Sequence, residues 1–231
     1  MATTAPIVQP DAVLSNAEPL LEQGDRLTRD EFERRYERMR RLKKAELVEG
    51  IVFMPSPVRA TKHAEPHNFL SGWLLVYTSE TPGIRCFDNS TVRLDLDNEP
   101  QPDLILIKIP GKGGQARISK DDYIEGAPEF VIEIVGSSAA YDLHQKRTAY
   151  RRNGVREYLV WITGENRLIW WELREGEYQE LSADGQGILR SKIFPGLWLD
   201  TPALLKSDMK TVLTTLRRGL ESPEHTAFLA G

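Results

Sequence analysis

A chain of 231 residues, 40% of them apolar and 28% charged, has the composition of an ordinary soluble globular protein and the length for a sizeable core, which excludes a disordered or fibrous class. Its net charge of −4 and pI near 5.7 require that any nucleic-acid contact rest on a local basic patch. Cys86 is the only cysteine, so there is no intrachain disulfide framework and no thiolate zinc site, and a reducing cytoplasm fits. No apolar run approaches the roughly 18 residues of a membrane span, and the N-terminus lacks the pattern of a signal peptide.

Residues 1–26 are rich in Ala, Thr and Pro, show no period, and read as an extended arm. A capping box, Thr28-x-x-Glu31, then opens a helix over 29–43 with Phe32, Tyr36, Met39 and Leu42 at helical spacing. Its arginine-rich outer face reads as a solvated surface laced by i,i+4 pairs more readily than as a phosphate-contacting one. Glu46–Met54 forms two short strands around a Glu49-Gly50 turn, and Pro55-Ser56-Pro57 breaks the pattern. A helix follows from Pro66 to Tyr77. His63 and His67 are four apart, but Pro66 prefers the first helical position and leaves His63 outside the helix. The pair therefore reads as polar or substrate-facing histidines, not as zinc ligands.

Strands at 84–87 and 91–96 lead through the loop 98–101 to Pro102-Asp103 and a second apolar run, Leu104–Ile109. Gly111-Lys112-Gly113-Gly114 lacks the ending of a phosphate loop and reads as a surface loop or a lid. Phe130–Val135 is a buried strand except at one position, Glu133. By alternation its carboxylate shares a face with Val131 and Val135. An unpaired carboxylate there costs several kcal/mol, so it must protonate, pair (with Arg93, for example) or bind a cation. Ser137-Ser138 can cap a following helix that carries Asp142, Lys146 and Tyr150 at four-residue spacing. Gly154 ends that helix. A strand at 156–163, a meander through 188–189, a closing Phe194–Leu199 segment, a helix from 202 to 220 and a short tail complete the chain.

Two acids on neighbouring strands, with a lysine on the next helix, form a metal-nuclease constellation. Mg²⁺ takes one or two carboxylates plus substrate oxygens and waters. Asp103 and Glu133, with the backbone carbonyl of Ile134 or Val135, supply such a set, and Mn²⁺ is the expected substitute. Lys146 is the candidate to orient the water or neutralise developing charge. Arg147, Arg151 and Arg152 on the same helix are candidates for flanking phosphates. Each residue has a plain alternative: Asp103 as a turn cap, Glu133 in a structural ion pair, Lys146 as a surface lysine beside Asp142. Two rivals to catalysis on DNA stand beside this reading. One is a nuclease-like binding or assembly module without turnover; the other is a carboxylate-pair hydrolase acting on sugars, which gives Lys146 no role.

Pro102-Asp103, the segment 125–135, Ser137-Ser138, Asp142, Lys146, Tyr150 and Gly154-Val-Arg-Glu-Tyr158 together resemble the Uma family of restriction-endonuclease-like proteins, within the PD-(D/E)XK nuclease superfamily. Glu46-Leu-Val-Glu-Gly50, Met54-Pro-Ser-Pro57 and Phe194-Pro-Gly-Leu-Trp198 extend the resemblance over about 28–205. It implies an α/β fold, a restriction-endonuclease-like mixed central sheet flanked by helices with a C-terminal antiparallel meander. It also implies a Mg²⁺-dependent DNA endonuclease and a homodimer. Residues 1–26 would then be an arm, 27–205 the nuclease domain, and 206–231 a C-terminal helix and tail. The resemblance makes Asp103 and Glu133 the motif acids. Val135 stands where the superfamily has lysine, and the resemblance gives that role to Lys146. Glu49 and His67 are candidates for a further ligand or substrate contact.

Overall fold

Helix α1 (Arg29–Arg38) is shorter than expected, and Thr28 occupies its N-cap without a side-chain cap bond. The Phe32 amide bonds the Thr28 carbonyl instead. The structure is a computed structural model and describes residues 19–54, 59–137 and 141–230, without the side chains of 141–143. Of the arm expected at 1–26, residues 1–18 lie outside these residues, as do the Pro55–Pro57 break, the Ser138 cap and the Asp142 side chain. The rest of the arm is packed down, with Leu21 buried and the Gly24 amide on the Val52 carbonyl. The arginines of α1 are tied down locally. Arg34 donates to the Asp30 carbonyl, and Arg35 pairs with Glu31 and Asp25. Phe32 packs on Leu47 and Val52 of the hairpin β1 (Glu46–Val48) and β2 (Ile51–Phe53). Its turn residues Glu49 and Gly50 have φ of 51° and 71°, the mirror-type turn that matches strand twist.

A π turn at Ala60–Ala64 runs directly into α2 (Glu65–Ser79). His63 therefore belongs to the helical rod, contrary to the expectation from Pro66. Pro66 lies in the first turn, where a missing amide costs no bond. The residues before it close wider rings, with the Ala64 amide on the Arg59 carbonyl at 3.2 Å.

Next come β3 (Ile84–Asp88), β4 (Val92–Arg93) and β5 (Leu104–Lys108). The 91–96 strand shrinks to two residues because the Leu94 and Asp95 amides both turn to the Asn98 carbonyl. The Gly111–Gly114 loop sits past Lys108, at the opposite end of β5 from Asp103. A Cβ on Gly114 would lie 1.9 Å from the Lys108 carbonyl oxygen, so this loop is packed down and is not a lid over the acids. Two short strands, β6 (Arg117–Ile118) and β7 (Ile124–Glu125), join β4 in a small side sheet that the sequence did not announce.

All six residues of β8 (Phe130–Val135) are buried. Helix α3 (Tyr141–Asn153) and β9 (Glu157–Ile162) follow, and β8 pairs with β9 in parallel, as a crossover helix requires. The meander continues through β10 (Arg167–Arg174), β11 (Glu177–Glu180), β12 (Ile188–Arg190) and β13 (Trp198–Asp200). The single C-terminal helix expected is three: α4 (Thr201–Leu205), α5 (Met209–Leu220) and α6 (Pro223–Ala230). Ser207, at φ 59°, breaks the first from the second, and Asp208 caps α5 through the Thr211 amide.

The central sheet runs β11-β10-β9-β8-β5-β3, mixed in direction. One face carries Leu104, Leu106, Phe130, Ile132 and Trp170 against α2, β13 and α5. Phe130 stacks on Trp170 at 5.0 Å, Trp73 meets Trp170 edge-on at 6.0 Å, and the Trp73 indole donates to the Trp198 carbonyl. The other face carries Ile105, Val131, Val135 and Val160 against Tyr150 and Val155, at and beyond the end of α3.

Glu157 joins two of the motifs. It is fully buried and accepts from the Ser191 hydroxyl and the Lys192 and Ile193 amides, fixing the turn that opens into Phe194-Pro-Gly-Leu-Trp198. Burial raises its pKa from 4.5 to about 7, against those hydrogen bonds. The native state therefore keeps a proton that the unfolded chain gives up, so the contribution to stability is greatest at low pH and is lost as pH rises from 4.5 to about 7. Glu157→Gln keeps an acceptor for the two amides and is expected to flatten this decline, on the order of 3 kcal/mol. Urea unfolding at a series of pH values reads it, and an unchanged slope in the variant would contradict the assignment.

Candidate active site

The antiparallel register Leu104↔Ile132, Ile105↔Val131, extended by one residue, sets Asp103 opposite Glu133. By alternation both project on the face that Ile105, Val131 and Val135 share. Asp103 is 4% exposed and Glu133 5%. The two acids of the sequence pattern are thus brought together where the pairing of β5 with β8 ends.

Each acid is held by a different set of donors. Asp103 Oδ2 accepts the Ile134 amide at 2.7 Å, and Oδ1 lies 3.1 Å from His63 Nε2. Burial pushes Asp103 up, but the hydrogen bond and charge of His63, with the Ile134 amide, hold it below the usual carboxylate range. The same hydrogen bond raises His63 above its ordinary value. His67 reaches the Asp103 backbone carbonyl at 3.2 Å and the Asp88 carboxylate at 2.9 Å, so it supports the strand end and not the carboxylate itself. The rings of His63 and His67 stack at 6.0 Å.

Glu133 Oε1 accepts from Lys146 Nζ at 3.0 Å and from the Tyr150 hydroxyl at 2.8 Å. Burial lifts Glu133 to about 7 although the Lys146 charge pulls it down. Tyr150 is raised well above its ordinary value by burial and by the Glu133 charge. Lys146 and Tyr150 are one helical turn apart, which is why both reach one oxygen. The ion pair with Arg93 does not form: Arg93 binds Glu33 and Asp121. Nor is Lys146 a surface lysine. It is 4% exposed, and its Nζ also donates to Glu46 Oε1 at 3.0 Å.

Glu46 is the member the sequence reading missed. It is 4% exposed, and the same Oε1 accepts the Gln101 amide at 2.7 Å, two residues before Asp103. The candidate in that segment was Glu49, which lies in the hairpin turn and pairs with Arg152 at 2.6 Å. Strand alternation was the available signal: Glu46 begins β1 and can face inward, whereas Glu49 is past its end.

The other arginines of α3 are also engaged. Arg151 pairs with Glu177, and the Arg147 guanidinium lies 5.5 Å from the Trp171 ring centre. With Arg152 on Glu49, each has a protein partner.

The donor set suits a hard divalent cation. Among the described residues, Lys146 and the Tyr150 hydroxyl donate to Glu133 Oε1, and Lys146 and the Gln101 amide to Glu46 Oε1, so the acids present hard carboxylate oxygens. Among the described residues no group of three or more His, Cys, Asp or Glu side chains forms a ready-made metal cage. An ion held by two carboxylates, waters and a substrate phosphate needs no such cage.

The mixed sheet flanked by helices is a restriction-endonuclease-like fold, and on it two acids stand on adjoining strands with a helix-borne lysine 3.0 Å from Glu133. The chain belongs to the Uma2 family, whose model, described as "Putative restriction endonuclease", matches residues 29–202. It is similar in fold to a crystal structure titled as a "putative nuclease belonging to DUF820" from Anabaena variabilis. That match has a TM-score of 0.59 and 16% identity over 78% of this chain and 98% of the other. No curated protein matches the chain. No described helix is long and apolar enough to cross a membrane.

Proposed function

We propose that this nuclease hydrolyses phosphodiester bonds in DNA with Mg²⁺, or Mn²⁺ in its place, held by Asp103, Glu133 and the Ile134 carbonyl. The observation that carries the reading is the placement of Asp103 opposite Glu133 with an ammonium 3.0 Å from the latter. A bound divalent ion would polarise the phosphate and lower the pKa of the attacking water. The chain's own residues hold this arrangement in place. His63 and the Ile134 amide fix the rotamer of Asp103, Lys146 and Tyr150 fix that of Glu133, and Glu46 holds Lys146 in position. Lys146 offsets the charge of buried acids that would otherwise protonate. We further propose that two copies act together, since a duplex break needs a site on each strand.

Supercoiled plasmid incubated with the protein and Mg²⁺ or Mn²⁺ tests the reading. Nicked or linear product is expected with either ion and none in EDTA. Duplex binding without any product would favour the alternative of a nuclease-like binding module, for which the confinement of Lys146 between two carboxylates speaks.

A further inference from the structure

Each of the three α3 arginines has a protein partner, and further cations stand on the segments that carry Glu46 and His63. Lys44 stands two residues before Glu46, and its Nζ donates to the Gln101 carbonyl at 2.8 Å, while Glu46 accepts the Gln101 amide. The two side chains thus grip one residue from both sides, at the end of the loop that delivers Asp103. Lys44 makes no ion pair among the described residues, although its charge reaches Asp103, Glu133 and His63. The π turn supplies a second source of charge. The Thr163 hydroxyl donates to the Lys62 carbonyl at 2.7 Å, anchoring the turn to the end of β9 next to His63, which touches Asp103. Lys62 and Arg59 are exposed, and neither side chain has a partner among the described residues.

Resting on the endonuclease reading, we infer that Lys44, with Lys62 and Arg59 on the turn that carries His63, forms the phosphate-holding rim of the site. Lys44 contacts the phosphate next to the acids, and Lys62 and Arg59 contact its neighbours along the strand. This divides the work of the missing strand lysine between two residues: Lys146 neutralises the carboxylates, and Lys44 meets the substrate. A mixed-charge protein with a net charge of −4 then binds a polyanion through a short track, not through a broad basic face.

The test is the salt dependence of affinity for a fluorescein-labelled DNA duplex, read by anisotropy in EDTA so that no strand is cut. Each phosphate contact removed lowers the slope of log affinity against log salt by about 0.9. Lys44→Ala and Lys62→Ala are each expected to show that loss, Lys44→Arg to keep the wild-type slope, and Arg217→Ala on α5 to leave it unchanged. A lysine that merely clamps the Gln101 loop would lower thermal stability without moving the slope, so a wild-type slope in Lys44→Ala overturns the inference. If Lys44→Ala does not fold, Lys44→Gln is read against Lys44→Arg in the same way. A wild-type protein without salt-dependent duplex affinity also overturns the inference, whereas the endonuclease reading itself falls only if plasmid stays uncut with both Mg²⁺ and Mn²⁺.

Discussion

Glu133→Gln is expected to slow metal-dependent DNA cleavage by about 10³-fold or more while leaving the protein folded and able to bind duplex. Gln has nearly the shape of Glu, and its carbonyl can still accept from Lys146 and the Tyr150 hydroxyl, the two bonds that Oε1 makes now. What disappears is the negative charge facing Asp103, and with it the attraction for a divalent ion. The substitution also removes an acid that burial already makes hard to ionise, so the variant should be no less stable near neutral pH. Single-turnover cleavage with Mg²⁺ measures the effect. Wild-type rates in the variant would remove Glu133 from the mechanism.

Lys146→Ala is expected to cost about 3–5 kcal/mol of folding stability, because it leaves buried carboxylates without their counter-charge. The side chain is 5% exposed and sits 3.0 Å from both Glu46 and Glu133, so solvent screens the pair little. The loss should shrink when the acids are neutralised as well: Glu46→Gln/Glu133→Gln/Lys146→Met replaces the charges with groups of similar volume and should recover most of it. Urea unfolding of the single and triple variants decides this. A Lys146→Ala protein within about 1 kcal/mol of wild type would mean that the ammonium is not the counter-charge described. Cleavage by that variant should also fall, since an uncompensated Glu133 protonates more readily.

Strand β8 was legible because one acid interrupts six positions that are otherwise apolar, and only a buried strand with a special partner explains that composition. Asp103 was legible for a similar reason, as an acid placed by a proline at the mouth of an apolar run. Glu46 was not, because its tie to Lys146 spans 100 residues, and no local pattern encodes a contact of that range. His63 was set aside on a sound local rule about Pro66, which the π turn circumvents by bonding across a wider ring. Helix ends were misplaced where a single residue decides them: Ser207 in a left-handed conformation splits the C-terminal helix, and nothing in its apolar spacing shows this. The α3 arginines show a different limit. Their spacing on a helix was visible, but their engagement by Glu177, Glu49 and Trp171 depends on strands that arrive later or earlier in the chain.

Calorimetric titration of Mn²⁺ into the wild-type protein and into Asp103→Asn and Glu133→Gln tests most directly whether the paired acids form a divalent-ion site. The wild type is expected to bind with site-dependent heat and each variant to lose it, since either carboxylate alone is a poor ligand set. Undiminished binding in either variant, or no binding in the wild type, would contradict the assignment.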